Sequence, residues 1–146
     1  AKAKRPLVLV ASLLRALQPP SAVVRERALR DVEWLGEVLY EVKPPTGYPD
    51  RSSFWAGPGA LRRRFELSSD WTANASARGV VWGIDEGGPE LMVNLLAWKL
   101  LAGRIGEPSL QAAVSLLKSL PPSATTAQKI EEAAGVVIST PEFYLH

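Results

Sequence analysis

Residues 89–102 read PELMVNLLAWKLLA, and the fold turns on how they are read. Coiled as a helix, the stretch is apolar on nearly every face, broken by Asn94 and Lys99. A helix that is hydrophobic all round is ordinarily a central one, so the pattern places it at the core of an all-α bundle. Pro89 suits the first helical position, where its missing N–H had no partner to lose. Gly103 and Gly106 end the helix.

The same reading extends toward the C-terminus. A helix over about Pro108–Leu120 turns Leu110, Ala113, Val114 and Leu117 inward, and Pro121-Pro122 closes it. Thr125-Thr126-Ala127-Gln128 has the form of a capping box opening a helix that buries Ile130, Ala133, Ala134, Val137 and Ile138. A last turn from Pro141 is expected to anchor the tail through Phe143 and Leu145.

Toward the N-terminus, residues 74–88 predict a long surface loop whose Val80, Val81, Trp82 and Ile84 dock back on the helices. Before it, a helix over Pro58–Ala73 is expected to face Leu61, Phe65 and either Ser69 or Trp71 inward, with its arginines outside. The chain opens with a helix over Pro6–Leu17, stopped by Pro19-Pro20. A longer one follows from Ser21, as N-cap, to Glu41, burying Ala28, Val32, Leu35, Leu39 and Val42. Trp34 and Trp98 are assigned to helix packing. The expectation is one domain over residues 1–146: an irregular bundle of about six helices with one long connector and one long loop.

Charge adds detail to the second helix. Glu26 with Arg30, and Arg27 with Asp31, sit one turn apart and stabilise mildly. Glu33, Glu37 and Glu41 would stack in a row, which is a solvated face unless Arg51 or Arg62–Arg64 answers it.

The connector, residues 43–65, reads KPPTGYPDRSSFWAGPGALRRRF. It packs prolines, glycines, aromatics and arginines together, which exceeds what a spacer needs. Thr46-Gly47-Tyr48-Pro49-Asp50 predicts turns, and Ser52 or Ser53 a cap for a short turn through Phe54 and Trp55. Tyr48, Phe54 and Trp55 either pin the connector or stack on a ligand. Tyr48, Asp50, Arg51, Trp55, Arg62, Arg63 and Arg64 are therefore the candidate binding residues.

Several chemistries lack their parts. With no cysteine there is no disulfide, thiolate-ligated metal or thiol nucleophile, and the sole histidine, His146, is the last residue. A net charge of +2 is too small to point to nucleic acid. Asp85-Glu86 lacks the alternating oxygens of a calcium loop, so neither metal nor cofactor is expected. Asp50, Glu66 and Asp70 are the acids to test for a glycosidase pair, and Gly57–Ala60 opens a helix where an anion could sit. No run reaches the roughly 18 apolar residues of a membrane span. The opening AKAKRPLVLVASLLRAL mimics a signal peptide, but Arg15 interrupts it and it is read as a helix of the fold. The absence of a starting Met suggests a piece of a longer polypeptide.

Four motifs in order carry a family resemblance. They are Arg5-Pro6-Leu7 through Leu14-Arg15-Ala16-Leu17, then Leu35-Gly36-Glu37-Val38-Leu39-Tyr40. Next comes Pro45-Thr46-Gly47-Tyr48-Pro49-Asp50 with Trp55, Leu61 and Arg64-Phe65, and finally Ser139-Thr140-Pro141-Glu142-Phe143. Together they resemble the C-terminal part of the bacterial proteins called domain of unknown function family 1800. Glu37 stands where the family usually has Gln, and Thr140 is an extra residue inside the closing motif. The resemblance implies an exported bacterial protein, at the periplasm or cell surface, and supplies no activity.

The reading that follows is a non-catalytic helical interaction or assembly domain, partnered by the remainder of its own chain or another protein. One rival is a carbohydrate- or anion-binding surface on the connector. The other is part of an enzyme whose remaining catalytic groups lie outside this chain.

Overall fold

Among the described residues, proline at the first or second helical position opens five helices, fixing φ where no backbone donor is needed. The computed structural model describes residues 2–41, 44–49, 51–85 and 87–145, with the backbone alone for Val23, Arg25 and Glu26. The helices are α1 Pro6–Leu17, α2 Ser21–Trp34, α3 Ser52–Trp55, α4 Pro58–Thr72, α5 Pro89–Leu101, α6 Glu107–Ser119, α7 Thr126–Ile138 and α8 Pro141–Tyr144. Six are long and two are single turns, so the fold is an all-α bundle. Among the described residues β pairing is limited to one isolated bridge, Ala3 with Leu145.

Helices α5, α6 and α7 pack most densely on one another. Around them, α1 leans on α2 and α5, α4 lies along α7, and α8 closes against α5 and α7. Gly135 lets α7 approach α4 closely, since a Cβ there would lie 3.1 Å from Thr72 Oγ1. One continuous core runs from Leu9, Leu13 and Leu17 through Trp71, Met92 and Leu96 to Ile138 and Phe143. The capping box forms as the sequence predicts: Gln128 N–H donates to Thr125 Oγ1 at 3.2 Å, and Thr125 N–H to Gln128 Oε1 at 2.9 Å.

Several expectations need correction. The second helix stops at Trp34, well short of Glu41, and Ser21 is its first residue with Pro20 at the N-cap. Gly36, at φ 97°, ends it in a Schellman turn: Gly36 N–H bonds to the Glu33 carbonyl and Glu37 N–H to that of Val32. The row of Glu33, Glu37 and Glu41 therefore never forms. Val42 and the side chain of Glu26, counted in the stripe and in an ion pair, lie outside the described residues.

On α4 the phase differs. Arg64, Leu67, Ser68, Trp71 and Thr72 face inward, while Leu61, Phe65 and Ser69 are exposed. Burying Trp71 and Leu67 removes more apolar area than Leu61 and Phe65 would, and Arg64 is carried in with them.

On α5, Met92, Val93, Leu96, Ala97, Leu100 and Leu101 are buried, but Leu91, Leu95 and Trp98 are not. Trp98 is 74% exposed. The helix is central on one side and bare on the other, and Trp34 is exposed as well.

In the 74–88 loop, which includes a 3-10 turn at Ser76–Arg78, Val80 and Trp82 are buried and Ile84 partly so, while Val81 faces outward. Lys99 Nζ ties this loop to α5 by donating to the carbonyls of Val81 at 2.8 Å and Trp82 at 3.0 Å. At the C-terminal end Phe143 and Tyr144 are the buried anchors, and Leu145 is exposed.

Candidate functional site

Gly36 swings Glu37 out of α2 and under the start of α1. There its carboxylate, 1% exposed, accepts the Leu7 N–H at 2.9 Å through Oε2 and the Arg5 guanidinium through Oε1. The first turn of a helix has unpaired N–H groups and a positive dipole end, so the carboxylate caps α1 from thirty residues away. Its cationic partner is Arg5, not Arg51 or Arg62–Arg64.

The connector is built onto this cap. The Arg5 guanidinium lies 6.0 Å from the centre of the Tyr48 ring, and the Tyr48 hydroxyl donates to the Val38 carbonyl at 2.8 Å. Tyr48 lies 5.9 Å from Trp55, which is buried and donates its indole N–H to the Pro49 carbonyl at 2.8 Å. Phe54 packs its ring at 4.7 Å, edge-on against Trp55, and is itself exposed. The polar atoms of Tyr48 and Trp55 thus both have internal partners.

The arginines diverge. Arg64 is 2% exposed and donates to the Lys4 carbonyl, and Lys4 N–H in turn reaches the Tyr144 carbonyl at 2.8 Å. Arg62 Nε donates to Glu66 at 2.8 Å, and Arg63 to the Trp34 carbonyl at 3.2 Å. Arg51 is exposed, and Asp50 lies outside the described residues. The structure therefore brings Tyr48 and Trp55 together beside Arg5, and does not gather Arg62, Arg63 and Arg64 with them. The start of α4 is capped by Gly57 with no side-chain bond.

The acids are engaged as well. Glu66 holds Arg62, and Asp70 holds Arg27 with Arg78 Nη2 at 3.7 Å. Asp31 accepts the Trp71 indole N–H at 2.7 Å, and burial pushes its pKa up. Glu86 and His146 lie outside the described residues. Among the described residues, no three His, Cys, Asp or Glu are grouped to hold a metal ion, and no helix is long and apolar enough to cross a membrane.

A second distant cap stands at α6. Glu142 Oε1 accepts the Gly106 N–H at 2.7 Å, and the Ser109 hydroxyl donates to both carboxylate oxygens. A Cβ on Gly106 would lie 2.7 Å from that same oxygen. Burial raises the Glu142 pKa, but hydrogen bonds from its own N–H, Gly106, Ser109 and Thr140 outweigh it and hold the carboxyl below the usual range. A depressed carboxyl contributes stability above its unfolded pKa, and that contribution is lost as pH falls through the folded value. Glu142→Gln is therefore expected to cost about 1 kcal/mol at pH 7. The difference should shrink in acid below about pH 4, and thermal unfolding at both pH values checks it.

Sequence reasoning missed Glu37 with Arg5, and Glu142 with Gly106. Gly36 was the available signal for the first; nothing local signalled the second.

The fold and this site define an all-α domain whose helices are capped by carboxylates from distant loops and whose connector is pinned from within. The chain belongs to the family described as Protein of unknown function (DUF1800), whose model matches residues 1–145. No curated protein and no solved structure matches it.

Proposed function

We propose that this chain is a non-catalytic interaction domain that joins another protein surface through exposed helix faces. The observation that carries this reading is the bare side of α5. Leu91, Leu95 and Trp98 recur at helical spacing on one side of a helix whose other side forms the core. Contiguous exposed apolar surface of this kind marks interaction sites, whereas single exposed side chains do not. The family resemblance adds the proposal that the domain acts outside the cytoplasm of a bacterium, which fractionation of expressing cells would test.

A photoreactive residue at position 95, in cells making the protein, tests the α5 reading. One discrete adduct is expected from position 95 and none from Gln111, which is exposed on α6. A Leu91→Ser/Trp98→Ser variant, folded by circular dichroism, should lose the adduct. The same adducts from both positions, or an adduct indifferent to the variant, would sink the proposal.

A further inference from the structure

We propose that Lys4, Arg15 and Arg104 form a binding site for a phosphate group. The site is independent of the bare side of α5, since Leu91, Leu95 and Trp98 take no part in it. Arg5, Arg27, Arg62 and Arg78 are each matched by a carboxylate. Among the described residues, Lys4, Arg15 and Arg104 have no ion pair. Lys4 Nζ rests 4.6 Å from the centre of the Phe143 ring, and the Arg104 side chain reaches only the Leu101 carbonyl, from Nε at 3.5 Å.

The fold brings the three cations to one corner. Lys4 is fixed at both backbone groups, because its carbonyl accepts from Arg64 and its N–H donates to the Tyr144 carbonyl at 2.8 Å. Glu142 holds Gly106, and its neighbour Phe143 carries Lys4 Nζ, so α8 ties Lys4 to the turn after α5 on which Arg104 stands. Arg15 comes from the last turn of α1, which packs on α5. Burial lowers the Lys4 pKa, and the charges of Arg104 and then Arg15 lower it further, with no acid acting the other way.

Like charges gathered in this way repel one another, which costs free energy until something negative joins them. The acids next to these residues in sequence do not fill that role. Glu142 spends its oxygens on the Gly106 N–H and the Ser109 hydroxyl, and Glu107 accepts from Gln111 Nε2 at 2.8 Å. Two guanidinium forks and an ammonium suit a doubly charged tetrahedral oxyanion. Arg15 and Arg104 are exposed and Lys4 is half-buried, so the site is open to solvent. Leu7 and Val8 are exposed between Lys4 and Arg15, so the phosphate can be a free one or that of a lipid headgroup.

The test is calorimetric titration with inorganic phosphate and pyrophosphate at constant ionic strength. Saturable binding at least about tenfold tighter than that of acetate is expected. Arg15→Gln/Arg104→Gln should weaken it about tenfold or more, and Lys4→Gln about threefold to tenfold. Arg51→Gln removes an exposed cation elsewhere and should change nothing. Because both arginines of the double variant are exposed, it should melt within about 2 °C of the parent.

Flotation with phosphatidylglycerol vesicles, against phosphatidylcholine alone, separates the two sources. Binding to the anionic vesicles that the double variant loses assigns the headgroup, and phosphate binding without it assigns a free phosphate. If neither probe binds in a way that depends on Arg15 and Arg104, the assignment is overturned. Equal binding of acetate, or an equal loss in Arg51→Gln, overturns it as well, since net charge alone would then be at work. The adduct from position 95 should survive Arg15→Gln/Arg104→Gln, so this site and the α5 surface stand or fall separately.

Discussion

Glu37→Ala is expected to lower the unfolding free energy by about 3 kcal/mol in urea titration. The substitution leaves the Leu7 N–H without its acceptor and Arg5 without its carboxylate, in a site where Glu37 itself is fully buried. Arg5 is partly exposed, so water recovers some of its hydration and keeps the loss below that of a fully buried pair. Glu37→Gln keeps an acceptor for the Leu7 N–H and should cost only about 1 kcal/mol. An Arg5→Ala/Glu37→Ala cycle should show coupling above about 1 kcal/mol. Equal losses for Ala and Gln, with no coupling, would mean that Glu37 acts by packing and not as a cap.

Trp71→Ala should cost about 4 kcal/mol, the range for deleting a fully buried large aromatic. The indole fills the core between α2 and α4, stacks under the Arg27 guanidinium at 4.6 Å and donates to Asp31. Trp71→Phe separates these contributions, because the ring largely remains while the N–H donor goes. Burial already raises the Asp31 pKa, and losing the donor raises it further. A raised carboxyl pKa means that the folded state holds its proton more tightly, so its cost appears as pH rises through the folded value. The Trp71→Phe defect should therefore be larger at pH 7 than near pH 4, by thermal unfolding at each. A defect independent of pH would show that the indole acts through volume alone.

The helical architecture was legible because prolines mark so many helix starts. Pro6–Leu17 was read to the residue, and the Thr125–Gln128 cap was written in its own four residues. Local signals of this kind survive folding, since their partners are sequence neighbours. The errors come from apolar spacing, which says neither which of two faces wins nor where a helix stops. On α4, Leu61 and Phe65 at i and i+4 advertise a face, but the core took Leu67 and Trp71 and drew Arg64 in with them. On α2 the stripe of Val32 and Leu35 ran on to Leu39 and hid the helix stop at Gly36.

The connector was recognisable as special, and Tyr48 and Trp55 do meet there. What it holds was not legible, because Arg5 comes from the other end of its own contact, far back along the chain. The exposed sides of α4 and α5 were hidden for the opposite reason. A sequence shows how apolar a helix face is, and does not show whether the chain itself covers it.

The distant cap on α1 has a consequence for hydrogen exchange. The Leu7 amide is protected by a side chain from the loop after α2, not by its own helix. Its exchange therefore reports the separation of the α1 start from that loop. Gly106, whose amide is held by Glu142, would report the release of α8 in the same way. Two backbone protons thus record two separate local openings, one of the loop after α2 and one of α8, each observed from a helix start thirty or more residues away.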